Sequence, residues 1–147
     1  MKAIQPYLFF NGNCREAITF YGKALGAEPH IMTFADAPPQ PGTNQEGCGE
    51  GADMAASQDR VMHANIRVGN AVLMASDVPV GQTAQGEGNF AVSIDCESEQ
   101  EQDRFFASLS EGGKVMLPVG DTFWGARFGM LTDKFGVHWM FNLEQKK

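Results

Sequence analysis

The sequence predicts an α+β fold: two βαβββ modules whose strands form one curved mixed sheet around a central cleft. Two observations carry this. Apolar residues recur at helical spacing twice, once as Ala17, Ile18, Tyr21 and Leu25 and again as Phe105, Phe106 and Leu109. Each helical stretch follows one short strand-like run and precedes three more. A third observation links the halves. Leu8 leads to Phe20-Tyr21 and Leu25-Gly26 much as Val92 leads to Phe105-Phe106, Leu109 and Gly112, a faint internal duplication. The reading is one domain over residues 1–147, with module one at about 1–80 and module two at about 88–147.

Tyr7 to Phe10 is an apolar, strand-like run that Asn11-Gly-Asn13 interrupts, with Asn13 placed to cap a helix from Cys14 to Leu25. Gly26 stands where a helix C-cap belongs. Ile31–Phe34 is a short strand. Residues 35–59, with Pro38, Pro39 and Pro41, differ in composition and read as a long surface loop or lid. Val61–Val68 and Ala71–Ala75 form a hairpin about Gly69-Asn70. After a glycine-rich link at 81–88, Phe90–Ile94 opens the second module, and Ser98 caps a helix reaching about Ser110. Gly112-Gly113 ends it, and strands follow at Lys114–Val119, Phe128–Thr132 and Val137–Leu143. In the last, His138, Met140 and Asn142 share one face while Trp139, Phe141 and Leu143 share the other.

Eleven basic against 18 acidic residues give a net charge of −7. That excludes a surface built to displace counterions from nucleic acid and argues equally against an anionic membrane face. No apolar run approaches the ~20 residues of a membrane span, and Met1–Pro6 is too short and polar for a signal peptide. Cys14, Cys48 and Cys96 are odd in number and lack a paired spacing, so they read as reduced thiols of a cytoplasmic protein. There is no P-loop, nucleophile elbow or dinucleotide glycine fingerprint.

Three stretches, "PYLFFNGNCREAITFYGKALGAE" (6–28), "HANIRVGNAVLMASD" (63–77) and "DTFWGARFGMLTDKFGVHWMFN" (121–142), make the chain resemble the vicinal oxygen chelate superfamily. That superfamily holds glyoxalase I, extradiol dioxygenases, and fosfomycin- and bleomycin-resistance proteins. The resemblance is to its PhnB-like branch, often labelled demethylubiquinone-methyltransferase-like. No glycine-rich site for adenosylmethionine accompanies that label here. The resemblance implies a divalent metal held by two His and two Glu from the first and last strands of each module, acting as a Lewis acid on vicinal oxygens. Carried over residue by residue, those places fall on Pro6 (Gln5 with a one-residue shift), Met74, Asn89 and Met140. Proline offers no ligand, and thioethers suit copper(I) rather than a hard divalent ion. No cofactor is expected at the family metal position.

Met74 and Met140 then read either as core filler or as the floor of an apolar pocket where relatives hold metal. His138 lies on the face of Met140, and His63 opens its strand; each is a structural histidine or a catalytic one, with His30 exposed. In "DTFWGARFG" (121–129), Asp121 and Arg127 either pair across a hairpin or leave Arg127 to hold an anionic group, beside Trp124 as a stacking face. Tyr7, Ser76 and Asn89 are further polar groups of the cleft by strand position, whereas Asp103-Arg104 reads as a solvated helix face. Two functions stay open. One is metal-free binding of a small molecule by a homodimer. The other is a lyase or isomerase whose chemistry, with or without an unusual metal, has moved to His138, His63 or Asp121.

Overall fold

Leu8 and Phe10 alternate with Tyr7 and Phe9, and burial follows the alternation: the first two are buried, the second two exposed. A strand with one apolar face needs a layer to cover it, and a helix supplies that layer. A computed structural model describes residues 1–36, 56–84 and 89–145. The chain divides into two compact units, residues 1–85 and 86–147. Most of the expected 35–59 loop, Cys48 and part of the glycine-rich link lie outside the described residues.

Unit one runs β1 (Tyr7–Phe10), α1 (Cys14–Leu25), β2 (His30–Thr33), a 3-10 turn at Phe34–Asp36, β3 (Val61–Val68) and β4 (Ala71–Asp77). Its sheet has the order β1-β4-β3-β2, with β1 parallel to β4 and the other pairs antiparallel. Unit two repeats the plan with β5 (Val92–Asp95), α2 (Glu99–Ser110), β6 (Lys114–Asp121), β7 (Ala126–Thr132) and β8 (His138–Glu144). Its order is β5-β8-β7-β6, again with only the first pair parallel. The α+β class and both βαβββ modules are therefore present. The strands are shared between two four-stranded sheets, each open at both edges, where the sequence suggested one continuous sheet.

α1 buries Ala17, Ile18 and Tyr21 of the expected stripe against β3 and β4, with Ala24 buried and Leu25, the fourth expected member, only half-buried in the last turn. Each large buried side chain contributes ~1.5–3 kcal/mol. Gly26 ends the helix at φ 78°, a left-handed conformation that glycine adopts without a Cβ penalty. The start is different from the expectation, because Asn13 makes no side-chain cap. The buried carboxylate of Asp77, at the far end of β4, does the capping. Its Oδ1 accepts from the Gly12 and Cys14 amides at 2.9 Å each, and its Oδ2 from the Val61 amide at 2.9 Å. A negative charge at a helix N-terminus also complements the helix dipole. In unit two Ser98 caps α2 as expected, accepting from the Glu101 amide at 3.1 Å.

In α2, Phe105 and Leu109 are buried and Phe106 is half-buried. Phe106 packs edge-on to Phe141, centroids 5.3 Å apart. Gly129 makes room for it: a Cβ there would sit 3.0 Å from Phe106 Cε2 and 2.7 Å from Val119 Cγ2. The β7–β8 turn is tied by Asp133. Its Oδ1 accepts from the Phe135 and Val137 amides at 2.8 and 3.1 Å, and its Oδ2 from the indole N–H of Trp139 at 2.8 Å.

Burial raises the Cys14 thiol to about 12, with the nearby Asp77 charge adding to it, and raises the Cys96 thiol to about 11. The unfolded chain releases these protons near 9.0 and the folded one keeps them, so stability is full below that pH and falls as pH rises from there toward 11 and 12. Cys14 and Cys96 should resist alkylation by iodoacetamide at mildly alkaline pH and react on unfolding, as peptide mass mapping would show. Fast labelling of either in the native protein would contradict their burial. Asp77→Ala leaves three amides without an acceptor and should cost about 3 kcal/mol in urea denaturation. A loss under about 1 kcal/mol would remove Asp77 as the clasp of unit one.

Candidate functional site

The register of sheet one sets Tyr7 of β1 beside Met74 of β4, Met74 beside Asn65 of β3, and Asn65 beside His30 of β2. Strand neighbours in register share a face, so these four residues form a row across the sheet. One step along, Phe9 pairs with Ser76 and Met32 with His63. The opposite phase holds Leu8, Phe10, Ala64, Ile66, Leu73 and Ala75, all buried on the α1 side. Tyr7, Phe9, His63, Asn65, Met74 and Ser76 thus share the face away from α1.

Polar chemistry gathers there. Tyr7 Oη lies 3.1 Å from His63 Nδ1, and the two rings are 5.7 Å apart. With the imidazole proton on Nε2, the phenol donates to Nδ1 and Nε2–H is a donor; the other tautomer reverses both roles. Phe9 stands 5.1 Å from Tyr7, centroid to centroid, and both rings are exposed. The Oδ1 of Asn65 is buried without a hydrogen-bond partner, a state that costs ~1–3 kcal/mol. Of the sequence candidates, Tyr7, His63, Met74 and Ser76 are brought together here. Asn65 was missed, although its spacing of two from His63 already placed it on that face.

Sheet two repeats the row with other residues: Ser93, Met140, Met130 and Leu117. His138 is half-buried, and its Nδ1 lies 2.7 Å from Thr132 Oγ1 on the neighbouring strand. Asn142 donates to Asp95 Oδ1 at 3.1 Å. Met140 and His138 share the face away from α2, as strand alternation requires.

Arg127 is on the other face. Its Nη1 donates to Gln102 Oε1 at 2.9 Å and its Nη2 to Asp103 Oδ1 at 3.0 Å, with Glu99 at 3.9 Å. The fork that an anionic ligand would need is occupied by α2. Arg127 and Asp121 are register partners across the β6–β7 hairpin, yet their side chains do not pair; Asp121 accepts from Gln145 Nε2 at 3.1 Å. Asp103, read from sequence as solvated, is Arg127's ion-pair partner. Gln102 is fully buried and donates to the Arg127 and Phe141 carbonyls at 2.8 and 3.0 Å, so one amide clamps α2 onto β7 and β8. Trp124 is 59% exposed and meets Phe123, 97% exposed, edge-on at the hairpin turn. Asn89 is exposed in the bend ahead of β5 and belongs to no strand, so strand position does not place it in the row as expected.

At three of the four places implied for a family metal the donors do not fit a hard divalent ion. Pro6 contributes only a backbone carbonyl, which accepts from the Met74 amide at 3.2 Å, and Met74 and Met140 contribute thioethers. Among the described residues no three His, Cys, Asp or Glu side chains cluster to hold a metal.

A family model described as the Glyoxalase/Bleomycin resistance protein/Dioxygenase superfamily matches residues 3–141. Protein YjdN of Escherichia coli K12 is 35% identical over 145 residues, covering 98% of this chain and 97% of that protein. The crystal structure of protein PA1353 from Pseudomonas aeruginosa is similar at 40% identity and a TM-score of 0.77, covering 98% of this chain and 100% of that one. A PhnB protein from Bacillus cereus shares the fold at 24% identity and a TM-score of 0.67, covering 95% and 98%.

Arg127→Ala should destabilise the protein by about 1–2 kcal/mol in urea, because it strips Gln102 Oε1 and the carboxylate of Asp103 of their common donor. Unchanged stability would show that the guanidinium is not structural and reopen it as a ligand contact.

Proposed function

The chain belongs to the glyoxalase/bleomycin resistance/dioxygenase superfamily, and from that premise we propose that it binds a small molecule on the face of sheet one away from α1, with no divalent ion at the family metal position. The observation that carries this reading is the Tyr7–His63 pair, 3.1 Å apart and set beside Met74 in the β1–β4 register. Phenol and imidazole offer directional hydrogen bonds, while Met74, Met32 and the exposed ring of Phe9 offer apolar contact. A few polar anchors on an apolar surface is the usual make-up of a ligand site. Proline and methionine at three of the four implied metal-ligand places support binding over Lewis-acid catalysis.

The same hydrogen bond favours a second reading, a lyase or isomerase in which the Tyr7–His63 pair moves a proton. In either case the protein acts as a homodimer in the cytoplasm. Support for self-association comes from β6, an edge strand that exposes Val115, Met116 and Leu117. Among the described residues no helix is long and apolar enough to cross a membrane.

Elemental analysis of the purified protein, followed by thermal-shift screening of metal-free samples against a chemically diverse set of small-molecule fragments, tests the first reading. Hits should stabilise the metal-free protein, and His63→Ala or Tyr7→Phe should weaken them by about fivefold to tenfold, the worth of one hydrogen bond. Stoichiometric metal that is lost on changing His63 or His138 would overturn it, as would hits indifferent to Tyr7, His63 and Met74. Light scattering after size exclusion should give twice the 16.0 kDa chain mass; a monomeric mass would remove the dimer.

A further inference from the structure

We infer that the molecule taken on this face is a planar heteroaromatic carrying an N–H or O–H donor, and that Asn65 recognises that donor. The inference rests on the binding reading above and assigns it a ligand chemistry.

Asn65 sits between Met74 and His30 in the row that crosses sheet one, two residues from His63 on the same strand. Its Oδ1 is the one buried side-chain polar atom without a hydrogen-bond partner among the described residues. Buried amide oxygens are ordinarily bonded, and an unpaired one is a standing cost to the folded state. Replacement by an apolar residue of similar size would relieve that cost, so the amide contributes nothing to the fold that leucine would not. A ligand donor would satisfy it. Turning the amide about Cβ–Cγ would bring the carbonyl to a group arriving on the face, and the oxygen gives up no hydrogen bond in doing so.

The surroundings define the rest of the ligand. Met74 lies between Tyr7 and Asn65 in register, so a molecule reaching from one to the other lies across a thioether. Tyr7 and Phe9 present rings 5.1 Å apart with an interplanar angle of 37°. Thioethers and aromatic rings both favour a flat, polarisable partner. Two strand spacings separate Tyr7 from Asn65, roughly 10 Å, which a fused bicyclic ring resting on Met74 largely bridges.

Indole and 1-methylindole separate these requirements, since they share a ring system and differ in the donor. Titration of each into isotope-labelled protein, followed through the Asn65 side-chain amide and the Met74 methyl signals, gives both affinities. The wild-type protein should bind indole about tenfold more tightly than 1-methylindole. Asn65→Leu should bind the two alike and melt at the same temperature as the wild type or higher. Equal wild-type affinities would overturn the donor reading and leave the proposed face standing. Discrimination that persists in Asn65→Leu would assign it to the bulk of the methyl group and also overturn the inference. Failure of both compounds to shift any signal of this face at millimolar concentration would overturn the inference together with its location on sheet one. The wild-type comparison stands even where Asn65→Leu fails to fold.

Discussion

One buried carboxylate holds unit one together. Asp77 ends β4, yet its two oxygens bind the amides that begin α1 and the amide that begins β3. Three elements distant in sequence therefore converge on a single charge. Helix N-termini leave several amides without partners, and a carboxylate answers both that deficit and the dipole behind it. The site depends on this anchoring indirectly. With β3 and β4 fixed in register, Asn65 falls beside Met74, and Tyr7 on the parallel β1 completes the row.

Unit two reaches the same topology by different chemistry. Ser98 caps α2 locally, Gln102 clamps the helix to the carbonyls of Arg127 and Phe141, and Asp133 ties the β7–β8 turn to the indole of Trp139. Repetition of a fold does not require repetition of its fastenings; what repeats is the period of apolar residues and the placing of turns. The methionines follow the same logic. Met74 and Met140 occupy matching places on their last strands, each beside the parallel first strand, but one neighbours Tyr7 and the other Ser93. The two faces have therefore diverged: His63 meets the phenol of Tyr7 on the first, whereas His138 meets the hydroxyl of Thr132 on the second.

Local signals made much of the site legible. His138 and Met140 could be assigned to one face because side chains alternate along a regular strand, and Asn65 could have been found in the same way from His63. Arg127 shows where such reasoning stops. Its hairpin with Asp121 is a local feature and formed in register, but the guanidinium met Gln102 and Asp103, which lie about 25 positions earlier. Spacing along the chain holds no information about which helix residue arrives at which strand.

The sequence by itself determined the two βαβββ modules, the burial of alternate strand residues, the Gly26 and Ser98 helix ends, and the absence of hard-metal donors at Pro6, Met74 and Met140. These follow from backbone periodicity and the chemistry of single residues, which act over a few positions. Only the tertiary structure decided that Asp77 caps α1 in place of Asn13, that Arg127 serves α2, and that Tyr7 and His63 meet across the sheet. Each of those is a contact between polar groups far apart in the chain. Long-range pairing settles such contacts through the register of strands and the seat of a helix, quantities that no local pattern encodes.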